Sequence, residues 1–100
     1  MTDAGIRELV KLDLGELNND KDVLIDQMIS EAKEYIETEG VTLDLNSNGD
    51  VGLVRMYAAW LFRKRASDKG DGLGNIGKMP RMLRWSLNNR VMKEHAQTEG

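Results

Sequence analysis

Residues 24–36 read LIDQMISEAKEYI, and their apolar side chains recur at intervals of three and four. This spacing places the apolar residues along one face of an α-helix and the charged residues on the other. Gly40 should end the helix, because glycine is favoured just after a helix C-terminus. The face predicted to be buried consists of Leu24, Ile25, Met28, Ile29, Ala32, Tyr35 and Ile36.

A shorter helix is predicted before this one. Thr2 is a suitable N-cap, because its hydroxyl can accept a hydrogen bond from a free backbone N–H of the first turn. The helical pattern fades around Asp13 and Gly15, where we expect the helix to end. Its apolar positions are Ile6, Leu9 and Val10.

A third helix should begin near Asp50 and end at about Ser67. Its apolar residues cover nearly every side, which is typical of a helix at the centre of a bundle. They are Val51, Leu53, Val54, Met56, Tyr57, Ala58, Ala59, Trp60, Leu61 and Phe62.

A fourth helix should open at Lys78, Met79 and Pro80, since proline is favoured in the first helical turn. Beyond Glu94 we expect a frayed tail over residues 95–100. The positions predicted to be buried are Met82, Leu83, Leu87, Val91 and Met92.

These four helices predict an all-α fold, a compact bundle of about four helices. The 100 residues form one domain, because a chain of this length supports a single hydrophobic core. Val41, Leu43 and Leu45 are the nearest approach to a strand, and a lone strand has nothing to pair with. Residues 68–78, rich in glycine, are predicted to form a flexible loop between the third and fourth helices.

The composition excludes several classes of protein. The chain has no cysteine, so disulfide frameworks, thiolate nucleophiles and cysteine-based zinc sites are excluded. The N-terminal residues lack the basic and apolar segments of a signal peptide. The densest apolar stretch, residues 51–62, contains Arg55 and is shorter than the about 20 residues that span a bilayer. We therefore expect neither a membrane span nor a bound cofactor.

Charge is divided unevenly along the chain. Residues 1–50 carry four Lys/Arg and thirteen Asp/Glu, a net charge of −9. Residues 51–100 carry ten Lys/Arg and four Asp/Glu, a net charge of +6. The two sum to the −3 of the whole chain. The two halves can pair within one subunit, which we favour, or between subunits, with one acidic face meeting a neighbour's basic face.

The segment 72–77, GLGNIG, matches the GxGxxG fingerprint of dinucleotide-binding proteins. That fingerprint must follow a strand within a βαβ unit, and here it follows a predicted helix. We therefore interpret the segment as a loop. A functional form of this interpretation is a loop that becomes ordered only against a partner.

The stretch Asp44, Asn46, Asn48, Gly49 and Asp50 matches the first half of an EF-hand calcium loop. The twelfth position should supply a bidentate carboxylate, and this chain has Arg55 there, a cation aimed at the expected ion. We therefore expect no metal site, and we interpret residues 46–50 as turns that cap the third helix.

The sequence supplies no recognisable catalytic motif. The single histidine, His95, lies near the predicted frayed end, and no serine or carboxylate pair stands in a known arrangement around it. We expect a protein that is not an enzyme.

The basic second half offers an alternative function, a small helical DNA-binding protein. Lysine and arginine could contact phosphates, with Trp85 as a stacking or wedge residue. The acidic first half and the sequence pI near 5.1 argue against this, and Trp60 and Trp85 fall at helical spacing typical of buried packing residues. The candidate contacts to a subunit or partner are Arg63, Lys64, Arg65, Lys69, Lys78, Arg81, Arg84 and Arg90.

Three stretches together resemble the small head-tail connector proteins, or DNA-packaging adaptors, of long-tailed bacteriophages and prophages. They are the acidic helix of residues 24–36, the sequence YAAW at residues 57–60 in the apolar helix, and MPRMLRWSLNNR at residues 79–90, which is the most distinctive. The resemblance covers most of the chain, from about Ile6 to Arg90.

This resemblance implies a structural virion protein without an active site. The family forms a ring, a dodecamer in the virion, beneath the portal protein, and the ring extends the channel through which DNA passes without sequence-specific binding. Its other implied partner is a tail-side completion protein, and its location is the virion, with the host bacterial cytoplasm during assembly. The resemblance favours use of the charge division between subunits, because a ring requires two different patches of one subunit to meet.

Overall fold

The computed structural model describes residues 1–16, 18–68 and 79–99, with side chains at 66–68 and 97–99 left undescribed. The described chain forms four helices and no strand, which confirms the predicted all-α bundle. The predicted loop lies almost wholly outside the described residues. The helices are α1 (Asp3–Leu14), α2 (Asp22–Thr38), α3 (Asn48–Asp68) and α4 (Arg81–Glu99).

Helix α1 begins and ends where the sequence predicts. The Thr2 hydroxyl accepts a hydrogen bond from the Gly5 N–H at 3.1 Å, which satisfies one free donor of the first turn. Gly15 has a φ of 73°, in the left-handed region that residues with a side chain rarely adopt. Gly40 has a φ of 96° just beyond α2 and serves the same purpose there. A side chain at either glycine would strain the backbone.

The core forms where α1, α2 and α4 pack against α3. This arrangement confirms the central position predicted for the third helix, whose Val54 and Ala58 are fully buried. The apolar face of α2 supplies much of the core, as its spacing predicts. Its buried members are Ile25, Met28, Ile29, Ala32 and Ile36.

Tyr35 departs from the prediction for α2, because it is 48% exposed rather than buried. Its ring lies at the edge of the core and stacks on Tyr57 of α3, with 5.9 Å between the ring centroids. Tyr57 is buried, and its ring also meets Trp60 edge to face at 5.7 Å.

The burial of Tyr57 predicts a loss of stability at alkaline pH. Burial raises the pKa of the Tyr57 hydroxyl, with the nearby Tyr35 as a second cause. The unfolded chain therefore releases this proton first, at about pH 10. The contribution of this group to the free energy of unfolding is complete below that pH and is lost as the pH rises towards the folded pKa. Thermal unfolding of the parent chain and of Tyr57→Phe across pH 9–11.5 measures this contribution. Parallel losses of stability in both chains would contradict the prediction.

Helix α4 differs most from its prediction. Leu83 and Leu87 are buried and Val91 is half-buried, but Met82 and Met92 are exposed and not buried. The reason is that α4 packs mainly against α3, so one narrow stripe of side chains suffices for the core. The helix also continues to Glu99, five residues past the predicted end at Glu94.

Candidate interaction surface on the fourth helix

A buried ion pair joins α4 to the beginning of α3. The Arg90 Nε donates to Asp50 Oδ1 at 2.7 Å, and Arg90 Nη2 lies 3.3 Å from Asp50 Oδ2. The side chains are 14% and 5% exposed, respectively. The hydrogen bond to Asp50 raises the pKa of the Arg90 guanidinium, which therefore stays charged.

The segment between α2 and α3 completes this junction. Arg90 Nη2 donates to the Thr42 carbonyl at 2.8 Å, and the Thr42 N–H donates to the buried carboxylate of Glu94. The Asp44 N–H donates to Asp50 Oδ2 at 2.8 Å. These bonds fix the rotation of α4 about its own axis, and with it the side of α4 that faces away from the bundle.

The outward side of α4 carries an unusual amount of apolar surface. Met82, Trp85 and Met92 are exposed by 63%, 63% and 69%. With the exposed Asn89 they follow a spacing of three, four and three, so all four lie on one helix face. This placement corrects the prediction that Trp85 is a buried packing residue, whereas Trp60 is half-buried as a packing residue should be.

Cations flank this apolar stripe. Arg81, Arg84 and Lys93 are exposed, and none of them forms an ion pair within the described part of the chain. We call the surface made by the stripe and these cations the α4 face. Its members are Arg81, Met82, Arg84, Trp85, Asn89, Met92 and Lys93.

The other predicted contact residues have different surroundings. Arg63 donates to the Asp13 carbonyl at 3.2 Å, and Arg65 lies 3.2 Å from Glu31. The ammonium of Lys64 lies 5.4 Å from the centre of the Trp60 ring. Arg90 is committed to the junction described above, so we leave it out of the contact surface. Lys69 and Lys78 lie outside the described residues.

Part of the charge division is used within the subunit. Three arginines of the basic half pair with carboxylates of the acidic half: Arg55 with Asp13, Arg65 with Glu31, and Arg90 with Asp50. The cations of the α4 face are not used in this way. On the acidic side, Glu34 and Glu37 of α2 are exposed and form no ion pair in the described chain.

Two shallow clefts lie between α3 and α4, one beside the start of α4 and the other further along it. One, of about 290 Å³, is lined by residues that include Met56, Trp60 and Met82. The other, of about 330 Å³, lies along Met56, Trp85 and Lys93. The second cleft leaves room for side chains of a partner beside Trp85.

The segment that resembles an EF-hand loop serves the fold instead. Asp44 Oδ1 accepts from the Asn46 N–H at 2.9 Å in a local turn, and Asp50 is occupied by Arg90. The sequence suggested that Arg55 would face the ion of such a loop. Instead Arg55 points away from the loop and pairs with Asp13 of α1. In the described part of the chain no cluster of histidine and acidic side chains could hold a metal.

We accordingly expect calcium at millimolar concentration to leave the melting temperature unchanged. A ligand of the folded state must raise the melting temperature by mass action, and Asp50 is already neutralised by Arg90. Thermal unfolding with calcium or with a chelator is the measurement, and magnesium is the control for general ionic effects. A calcium-specific rise of several degrees would contradict the expectation.

The remaining candidate motifs are not part of the α4 face. The GxGxxG segment lies outside the described residues, and His95 is exposed on α4. No helix in the described ranges is both long and apolar enough to cross a bilayer. Comparison of the chain with protein-family models, with curated proteins and with solved structures found no match.

Proposed function

We propose that this chain is a structural subunit of a ring that connects the head of a tailed bacteriophage to its tail and extends the DNA channel. The observation that carries the proposal is the α4 face, an exposed apolar and basic surface on a subunit whose other half is strongly acidic. The resemblance of residues 24–36, 57–60 and 79–90 to head-tail connectors supplies the biological setting. The role needs no catalysis and no cofactor.

A ring subunit must present two different surfaces that fit each other. Heterologous contacts of this kind close into a ring when the rotation between neighbours allows it. The α4 face supplies one such surface, and the acidic α1–α2 side supplies another of opposite charge. The proposed partners are further copies of the chain, the portal protein and a tail-side completion protein. The proposed setting is the bacterial cytoplasm during assembly and the virion afterwards.

The alternative function, DNA binding, is favoured by the exposure of Trp85 beside Arg81 and Arg84. An exposed side chain of this kind next to cations can stack on the bases of a single strand or insert as a wedge between the base steps of a duplex. Against it stands the net charge of −3, which repels a polyanion as a whole. A salt-dependent affinity of the isolated chain for duplex DNA would favour this alternative.

The proposal is tested by combining the purified chain with the portal protein encoded in the same genome. We expect closed rings seated on the portal in electron micrographs, and no such rings when an unrelated helical protein replaces the chain. Deletion of the gene should yield heads and tails that remain unjoined. A chain that leaves the portal unchanged and binds DNA tightly at low salt would overturn the proposal in favour of the alternative.

A further inference from the structure

We propose that the α4 face binds the outward side of α2 on a second copy of this chain. The inference deepens the proposed function by naming the two surfaces that meet, and it can be tested on the isolated protein. It starts from features of the α4 face that folding does not explain.

The cations at the start of α4 do not favour the helix itself. Arg81 and Arg84 stand in the first turn, which contains no acidic residue. The N-terminus of a helix carries a partial positive charge, so cations there are unfavourable for helix stability. Both side chains point to solvent without an ion pair in the described chain. A contact outside the subunit accounts for their presence.

The apolar stripe between these cations has the chemistry of a binding surface. Tryptophan, methionine and arginine are enriched at protein interfaces, and tryptophan and arginine supply a large share of the residues that dominate binding energy. Trp85 and Met82 together line an open apolar pocket with Arg81. Covering a stripe of this kind with a partner is favourable, because it removes apolar surface from water.

Charge decides which surface covers the stripe. Pairing of two α4 faces would bring six cations together, and Glu94, the one acidic side chain described on α4, is buried in the junction. Like charges across an interface are strongly unfavourable. The α4 face therefore fits an acidic surface rather than its own copy.

The outward side of α2 is such a surface on the same chain. Five exposed residues follow a spacing of four, three, four and three, and Glu34 and Glu37 lie among them without an ion pair in the described chain. Val23, which is 83% exposed, provides an apolar contact at one end. We call this surface the α2 face. Its members are Val23, Gln27, Ser30, Glu34 and Glu37.

The two faces match in length and in spacing. The α2 face spans Val23 to Glu37, and the α4 stripe, continued to the exposed Ala96, spans the same number of residues. Each is about 21 Å long at the rise of an α-helix. Stripes with three-and-four spacing are those through which two helices pack at a small crossing angle. The contact uses a different face on each subunit, so it can repeat from copy to copy.

The inference is tested by exchanging the charges of the two faces. One variant carries Arg81→Glu and Arg84→Glu, and the other carries Glu34→Lys and Glu37→Lys. Each variant alone places like charges across the contact, so we expect self-association at least about tenfold weaker than that of the parent chain. An equimolar mixture restores opposite charges and should return the association to within about threefold of the parent. Sedimentation velocity with circular dichroism as the folding check provides both measurements.

The matched controls keep the charges but change the side chains. Arg81→Lys with Arg84→Lys, and Glu34→Asp with Glu37→Asp, should associate like the parent. Raising the salt from 0.05 to 0.5 M should narrow the differences among all variants, because screening shortens the reach of surface charges.

Three results would overturn the inference: a parent chain that stays monomeric at millimolar concentration, a mixture that fails to restore association, or a Glu34→Lys, Glu37→Lys variant that associates as well as the parent. The last result would show that α4 pairs with something other than the α2 face. Failure of the proposed function looks different, because the mixture would then associate while the parent formed no ring on the portal. Portal-bound rings that tolerate the Arg81→Glu, Arg84→Glu variant would keep the function and remove the inference.

Discussion

Replacement of Asp50 by alanine should lower the free energy of unfolding by about 3–5 kcal/mol. The carboxylate is 5% exposed and forms the closer of the two ion pairs of Arg90, which is 14% exposed. After its removal only the more distant carboxylate of Glu94, 3.6 Å from Arg90 Nη2, offsets this largely buried cation. The same carboxylate accepts the Asp44 N–H and stands in the first turn of α3, where the helix dipole favours an anion. The loss is large compared with the about 5–15 kcal/mol that stabilise a typical domain.

The matched control for Asp50 is Asp13, which forms an ion pair of the same kind with Arg55. That pair is about one-third exposed on both sides, so Asp13→Ala should cost only about 0.2–1 kcal/mol. Urea unfolding followed by circular dichroism compares the two variants. Similar small losses in both would show that the Asp50–Arg90 pair is solvated like a surface pair.

A double replacement separates the value of the pair from the penalty for breaking it. Asp50→Leu combined with Arg90→Met removes both charges and should be less destabilising than Asp50→Ala alone. Because the junction also orients α4, the helical signal of the double variant should persist while the contacts of residues 42–44 loosen. A double variant at least as destabilised as Asp50→Ala would contradict this account.

The elements of this fold that depend on local chemistry were predictable from the sequence. Thr2 and Gly15 set the ends of α1 because a capping hydroxyl and a left-handed glycine act within a few residues of chain. The core face of α2 was predictable in the same way, since its spacing alone separates Ile25 and Ile29 from the charged side.

The surroundings of α4 were not predictable, because they depend on how many helices pack around it. A pattern of apolar residues gives the faces of a helix that could be buried, and only packing decides which face is covered. On α4 the stripe with Leu83 and Leu87 meets α3, and the stripe with Met82 and Trp85 stays largely exposed. A second apolar stripe at its own regular spacing was the signal in the sequence for a binding surface.

Long-range polar contacts were equally inaccessible to sequence reasoning. Asp50 and Arg90 are 40 residues apart. The sequence placed Asp50 in a turn that resembles a calcium loop, and it placed Arg90 in a contact with a subunit or partner. Their pairing follows from the approach of α4 to the start of α3, which no local pattern specifies. The charge division did predict pairing between the halves of the chain, and three arginines confirm it.

Replacement by alanine should lower the stability of the fold much more at Trp60 than at Trp85. Trp60 is half-buried and packs against Tyr57 and Lys64, so Trp60→Ala should cost about 3 kcal/mol of stability, the lower end of the range for buried aromatic residues. Trp85 is 63% exposed, and Trp85→Ala should change the free energy of unfolding by no more than about 0.5 kcal/mol. Urea unfolding followed by circular dichroism measures both changes without relying on tryptophan fluorescence.

Self-association should show the reverse order. A tryptophan at the centre of an interface commonly contributes about 2 kcal/mol or more to binding, so Trp85→Ala should weaken self-association by about 30-fold. Trp60→Ala should leave it nearly unchanged under conditions in which that variant is still folded, because Trp60 lies outside the α4 face. Sedimentation over a range of concentrations gives both dissociation constants. A Trp85→Ala chain that associates like the parent but loses its affinity for duplex DNA would reassign the exposed indole from a second copy of the chain to nucleic acid.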